Sequence, residues 1–318
     1  MIISITHELD LDGLGSQAII YRFSKLKKKQ NSNQIKFYYA HYTNFMDRVK
    51  KALSEIPSDG QIIISDIGFN DEFVELFPLF EEVKKKDCKI LWFDHHIIDR
   101  KIEEKMKKII EVYLNDPKRC SAEIVKDYFL PDDLIAIKIA DLSRDIDFHT
   151  KIYDSAEKLQ SIIAFNRGEL LNDNKEKVVK LLSEGIFDDG WYNKQLEKIK
   201  IWEEDQSKVV LKNKKVIEVE GFGNIIVSFA ETGGSKIVSL LKDHYPDIKV
   251  YLGIDIRYNE IIIHSEYINC REFARNYKGG GHKNRAGLKI EGIFSNKNQI
   301  KNEFLQSIKA NIIKYKLN

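Results

Sequence analysis

The sequence predicts an α/β fold: a parallel sheet with helices on both faces, a helical linker, and a smaller mixed α/β domain at the C-terminus. Three observations carry this. Short, near-continuous apolar runs alternate with helical patterns over about the first 145 residues, as in a parallel sheet covered on both sides. Helical spacing then dominates from 155 to 206, with little strand character. Strands resume beyond 212. The domains expected are therefore 1–190, a linker at 191–211, and 212–318.

Taken in order, the first strands are expected at 2–6, 35–40, 61–65, 89–93 and 109–114, where apolar residues run almost unbroken. Helices are expected between them, at 15–27 and 71–85 for example. Further on, Trp191, Leu196, Ile199 and Trp202 fall at helical spacing and form one apolar stripe. The later strands are expected at 216–219, 225–229, 250–256 and 260–265. A glycine-rich stretch, Gly279-Gly280-Gly281-His282, follows them. A strand at 288–290 and a last helix reaching about Tyr315 complete the chain.

Composition narrows the function classes. Hydrophobic residues are 43% of the 318, enough for a sizeable core. Lys and Arg number 51 against 49 Asp and Glu, so a net charge of +2 does not announce a nucleic-acid coat. A small anionic substrate needs only a few local cations and stays open. The three cysteines, Cys88, Cys120 and Cys270, stand far apart, which argues against disulfides and cysteine–zinc sites. The first residues lack a signal-peptide pattern, and no apolar run reaches membrane-spanning length. A cytoplasmic protein with no membrane partner is expected.

Function is written at the strand ends. The first strand runs into His7, Asp10 and Asp12, followed by Gly13. The third runs into Asp66, and the fourth into Asp94-His95-His96. A further acidic set, Asp141, Asp145 and Asp147, closes a helical pattern starting near Asp133. Acids at a helix C-terminus oppose its dipole, so a nearby cation would suit them. Asp12 alone reads equally well as a helix cap, and Asp66 alone as a loop residue. Together these residues outnumber what structure requires. Imidazole and carboxylate suit manganese, zinc and similar ions. Two such ions about 3.5–4 Å apart suit in-line attack on a phosphorus ester or anhydride.

These residues resemble the DHH phosphoesterase family, whose name is the triplet seen here as Asp94-His95-His96. The order His-x-x-Asp-x-Asp-Gly, lone Asp, Asp-His-His and a later Asp is similar to its four motifs. The stretch 279–287 resembles the signature of the DHH-associated substrate-binding domain. The resemblance implies two cations, usually manganese, with magnesium or cobalt as alternatives. His7, Asp10 and Asp66 would hold one; Asp12, Asp66, His95 and Asp145 would hold the other, with Asp141 as the alternative to Asp145. His96 would touch the scissile phosphate, and Asp94 would orient the histidines. Arg271, Gly279, Gly280, Gly281, His282 and Arg285 would cradle a phosphate or nucleotide end. The implied activity is hydrolysis of short RNA, in the manner of an oligoribonuclease, or of small nucleotides such as linear or cyclic dinucleotides and 3′-phosphoadenosine 5′-phosphate. The alternatives weighed are an inorganic pyrophosphatase, a RecJ-type single-strand exonuclease and a non-catalytic nucleotide-binding module. Monomer or homodimer is left open.

Overall fold

The computed structural model describes residues 1–27, 35–69, 71–277, 279–290, 292–296 and 299–317. Five parallel strands come first: β1 (Ile2–His7), β2 (Ile35–Ala40), β3 (Gln61–Ser65), β4 (Lys89–Asp94) and β5 (Val112–Asn115). They line up in the order β2-β1-β3-β4-β5. The helices are α1 (Leu11–Leu26), α2 (Phe45–Glu55), α3 (Phe77–Lys84), α4 (Arg100–Ile109), α5 (Ser121–Phe129), α6 (Leu134–Asp147), α7 (Asp154–Phe165) and α8 (Asn172–Ser183).

Strand side chains alternate between faces with a period of two, and the two buried clusters follow that alternation. Ile3, Ile5, Ile62, Ile64, Ile90 and Trp92 join residues of α2, α3 and α4. Ile2, Ile63, Leu91 and Phe93 join residues of α1, α5, α6, α7 and α8. Apolar side chains on both faces explain why the strands read as unbroken runs. After β2 the chain crosses back over β1 to place β3 on its other side. Such a reversal leaves a crevice at the carboxyl ends of β1 and β3, where open sheets of this kind bind ligands.

Several expected boundaries shift for local reasons. Helix α1 starts at Leu11 rather than 15, because the Asp10 side chain accepts from Gly13 N and caps it. The expected helix 71–85 divides into a 3₁₀ turn, Asp71–Leu76, and α3, with a proline at the start of α3. Ile109 closes α4 instead of opening a strand, so β5 begins at Val112.

The chain divides into two compact units, Met1–Ile199 and Lys200–Asn318. Helix α9 (Gly190–Asn213) runs across the division. Its expected single stripe is two: Trp191, Leu196 and Ile199 pack on the first unit's core, while Trp202 meets the Arg257 guanidinium, 5.6 Å from its ring centre, in the second. The second unit contains β6 (Lys215–Val219), β7 (Gly223–Ala230), α10 (Gly234–His244), β8 (Val250–Asp255), β9 (Glu260–His264), α11 (Cys270–Arg275), β10 (Gly280–Gly281) and β11 (Arg285–Lys289). The small hairpin β12 (Phe294–Asn296) and β13 (Gln299–Ile300) and helix α12 (Asn302–Ile312) follow. Its sheet order is β10-β11-β9-β8-β7-β6, mixed because β7 and β8 are parallel and the other pairs antiparallel. No helix among the described residues is long and apolar enough to cross a membrane.

Candidate metal centre

The three strand-end motifs converge at the crevice beside β1. Thr6, the last residue before His7, donates its hydroxyl to Gly13 O at 2.8 Å, and Ser65 Oγ donates to Thr6 Oγ1 at 3.0 Å. These bonds fix the ends of β1 and β3 against the start of α1. Gly13 is required there: a Cβ would stand 2.2 Å from His7 O. Asp66 sits just past β3 with a positive φ of 57°, a conformation that aspartate tolerates better than most residues but still at a cost. That turn aims its carboxylate into the crevice.

Asp66 is central to the cluster. His95 Nε2 lies 3.3 Å from its Oδ1, and His7 Nδ1 lies 3.7 Å from its Oδ2. His7 Nδ1 is also 3.2 Å from Asp10 Oδ2. On the far side, His95 Nε2 is 3.7 Å from Asp12 Oδ2, and His95 Nδ1 is 3.5 Å from Asp147 Oδ2. Three sets of donor atoms are close enough to share an ion: His7, Asp10 and Asp66; Asp12, His95 and Asp147; and Asp66, His95 and His96. Asp94 Oδ1 lies 2.8 Å from His96 Nδ1 and orients the ring, while Asn115 Nδ2 donates to the His96 backbone O at 2.9 Å and fixes the main chain there.

The electrostatics describe a site short of positive charge. Asp12 and Asp66 are only 1% and 3% exposed. Burial, then the charge of Asp66, pushes the Asp12 carboxyl well above its usual range, and the same causes raise Asp10. Burial pulls His7 down, but Asp10 and Asp66 outweigh it and hold the ring up to about 10. Burial also opposes charge on His95, yet Asp66, Asp12 and Asp147 hold it at about 9. Burial opposes charge on Asp66 as well, and His7 and His95 overcome that to keep it below the usual carboxylate range. Among the described residues, no lysine or arginine pairs with Asp10, Asp12, Asp66 or Asp147. Two buried atoms, His7 Nε2 and Asp66 Oδ2, have no hydrogen-bond partner. Acid-rich, imidazole-lined and with orphaned donor atoms, the cluster fits divalent cations.

The acidic set on α6 comes out differently from the expectation. Asp145 is turned away from the cluster. Its carboxylate accepts from Thr150 Oγ1 at 2.5 Å, from Ile152 N at 2.8 Å and from Tyr153 N at 2.8 Å, which ties down the α6–α7 turn. Asp141 is exposed on α6. Asp147 is the residue that reaches His95. Asp12 also has a second duty, accepting from Ser121 N at 2.7 Å and Ala122 N at 2.8 Å at the start of α5. Sequence reading passed over that helix start, although Glu123, whose side chain accepts from Cys120 N at 2.9 Å, is the capping residue that marks it. Tyr42, just past β2, was also passed over; its hydroxyl accepts from Gly68 N at 3.3 Å and its ring meets His96 edge-on.

In the second unit, Gly279, Gly280, Gly281, His282 and Arg285 form the β10–β11 hairpin, closed by His282 N donating to Arg285 O at 2.7 Å. Gly281 has φ of 140°, and a Cβ there would stand 2.7 Å from Ala286 Cα. Arg285 donates to Ser235 Oγ at the start of α10. Arg271 is exposed on α11, which packs against the hairpin. A cavity of about 670 Å³ opens beside it, lined by Tyr277, Gly279, Gly287 and Leu288 among others.

A parallel sheet thus carries this acid and imidazole cluster, a candidate metal site, at its switch point. Residues 1–154 match the family model described as DHH family, N-terminal domain. No curated protein matches the chain. Among solved structures, the chain is similar to a pGpG-specific phosphodiesterase, PggH, from Vibrio cholerae, at 11% identity over 98% of this chain and 97% of that one, with a TM-score of 0.51. It is also similar to the DHH domain of a member of a family of ribosomal proteins, at 17% identity over 99% and 87%, with a TM-score of 0.56. An uncharacterized protein from Helicobacter pylori G27 aligns at 19% identity over 98% of both chains, with a TM-score of 0.48.

Proposed function

We propose that the protein is a two-metal phosphodiesterase that hydrolyses short oligoribonucleotides or related small nucleotides to nucleoside monophosphates. His7, Asp10 and Asp66 hold one cation; Asp12, Asp66, His95 and Asp147 hold the other, with Asp147 replacing Asp145 in the set. Manganese suits these donors, as do magnesium and cobalt. The observation that carries the reading is the meeting of three further carboxylates and three imidazoles around Asp66 at one sheet crevice.

When bound, two cations would activate a water and neutralise charge on the phosphoryl group. The chain's own residues do the rest. Asp66 offers one oxygen towards each histidine and so serves both positions. His96 contacts the phosphate. Its hydrogen bond to Asp94 raises its pKa, which favours a charged ring that can donate to a phosphate oxygen. In the second unit, Arg271, His282 and Arg285 beside the glycine hairpin bind a nucleotide phosphate, and the adjoining cavity has the volume of a nucleotide-sized site.

The test is a substrate panel. Manganese-loaded protein is offered linear dinucleotides, a cyclic dinucleotide, 3′-phosphoadenosine 5′-phosphate, pyrophosphate and a long single strand. Turnover of a short nucleotide, lost in Asp66→Ala, is expected. No hydrolysis of any of them overturns the reading. Preference for the long strand would move it to a processive exonuclease.

A further inference from the structure

Residues 8–10 carry Asp10 and belong to no helix or strand, yet the Leu9 carbonyl and the Glu8 carboxylate are both held by α7, α8 or the turn between them. The Gln160 carboxamide on α7 brackets Asp10: its Nε2 donates to Leu9 O at 3.2 Å, and its Oε1 accepts from Leu11 N at 2.9 Å. One side chain thus pairs with the backbone on both sides of the aspartate, as a neighbouring strand would. Arg167 Nη2 also donates to Leu9 O, at 3.3 Å. Lys175 on α8, fully buried, forms an ion pair with Glu8 and donates to Gly168 O at 3.0 Å. On the other side, Glu8 N donates to Ala40 O at 3.0 Å. A lysine with no exposed surface is expensive to bury without a partner, so this pair locks α8 to the segment.

We propose that Gln160, supported by Arg167 and Lys175, is a positioning residue that sets the pose of Asp10 and thereby tunes one of the two cation positions, the one held by His7, Asp10 and Asp66. The inference rests on the two-metal reading above. Gln160 touches neither substrate nor ion; it acts through the backbone on either side of Asp10. Ligands held by a supporting shell lose about 10–100-fold in metal affinity when that shell is removed. Among the described residues, Asp12, His95 and Asp147 receive no hydrogen bond from Gln160, Arg167 or Lys175, so the position they hold should respond far less.

The experiment uses the full chain. Manganese titrations followed by calorimetry and by electron paramagnetic resonance of the free ion compare wild type, Gln160→Ala, Gln160→Met and Ser161→Ala. Methionine keeps the length and apolar body of glutamine but neither hydrogen bond. Ser161 lies next along α7 and serves as the neutral control. In both Gln160 variants one class of site should weaken roughly 10–100-fold and the other stay unchanged. With a dinucleotide, kcat should fall at saturating substrate while KM holds. Hydrogen exchange at the Leu11 amide should quicken in both. Wild-type affinity in Gln160→Met would assign the role to packing and overturn the proposal. So would equal weakening of both sites together with a lower melting temperature. If the wild type takes up no pair of cations, the two-metal reading fails. The bracket is then judged by Leu11 exchange, and unchanged protection in Gln160→Ala refutes it.

Discussion

Asp66 and His96 separate two kinds of contribution that a single activity assay would merge. Asp66→Ala removes a carboxylate that faces both His7 and His95, so both cation positions should weaken and turnover should vanish. His96→Ala should leave cation uptake intact and lower kcat by about 10²–10³-fold, the range for losing one donor to developing charge. Equal loss of cations in the two variants would contradict these roles; calorimetric titration decides. Asp145 and Asp147 make a matching pair. Asp147→Ala should weaken one cation position, whereas Asp145→Ala should lower the melting temperature and spare cation binding, because its carboxylate serves Thr150, Ile152 and Tyr153. This is also where reading the sequence met its limit. His7, Asp10, Asp12, Asp66 and the Asp94-His95-His96 triplet were legible because each follows an apolar strand, and strand ends in a parallel sheet share one edge. The α6 aspartates lie two residues apart on a helix, about 200° around its axis, so they face opposite ways. Nothing in their spacing says which one faces the sheet.

Helix α1 connects the crevice to the helices behind it. At its first turn Gly13 permits close approach to β1, and farther along Arg22 joins it to two other helices. Arg22 Nε and Nη2 donate to the two Asp133 oxygens at 2.7 and 2.8 Å, and Nη1 donates to Ser183 O at 3.0 Å. Arg22→Ala should cost roughly 2 kcal/mol at neutral pH, the usual range for a charged, forked hydrogen-bond pair. The Arg22 hydrogen bond holds the Asp133 carboxyl below its ordinary range. A depressed carboxyl contributes stability above its unfolded pKa, about 3.9, and loses it as pH falls through the folded value. The gap between wild type and Arg22→Ala should therefore shrink on going from pH 7 to pH 3, as urea unfolding at each pH would reveal. A constant gap would mean the bond to Ser183 carries the effect. Strands were more legible than helices at this scale. Runs such as Ile62-Ile63-Ile64 admit little else, while the proline-led α3 and the early start of α1 depend on caps and turns whose partners lie outside the local pattern.

For the molecule as a whole, the two units have separate cores, and only the first contains the acid and imidazole cluster. A ligand stabilises only what binds it. Differential scanning calorimetry should show two transitions, with manganese raising one by several degrees and leaving the other in place. A single transition that moves as a unit would show that the cores unfold together. The helical stretch around α9 was legible as helix, but its division of labour was not, because Trp191 and Trp202 look alike in sequence, yet one packs on the first unit's core and the other meets the Arg257 guanidinium of the second unit. Two bonds reach further than stability. Asp12 takes its two backbone donors from Ser121 and Ala122, 109 and 110 residues later in the chain. During translation, a half-made polypeptide therefore owns the earlier acids without the partner that seats them. On the two-metal reading, the position that uses Asp12 is therefore assembled only after the chain through α6, with Asp147, has been made.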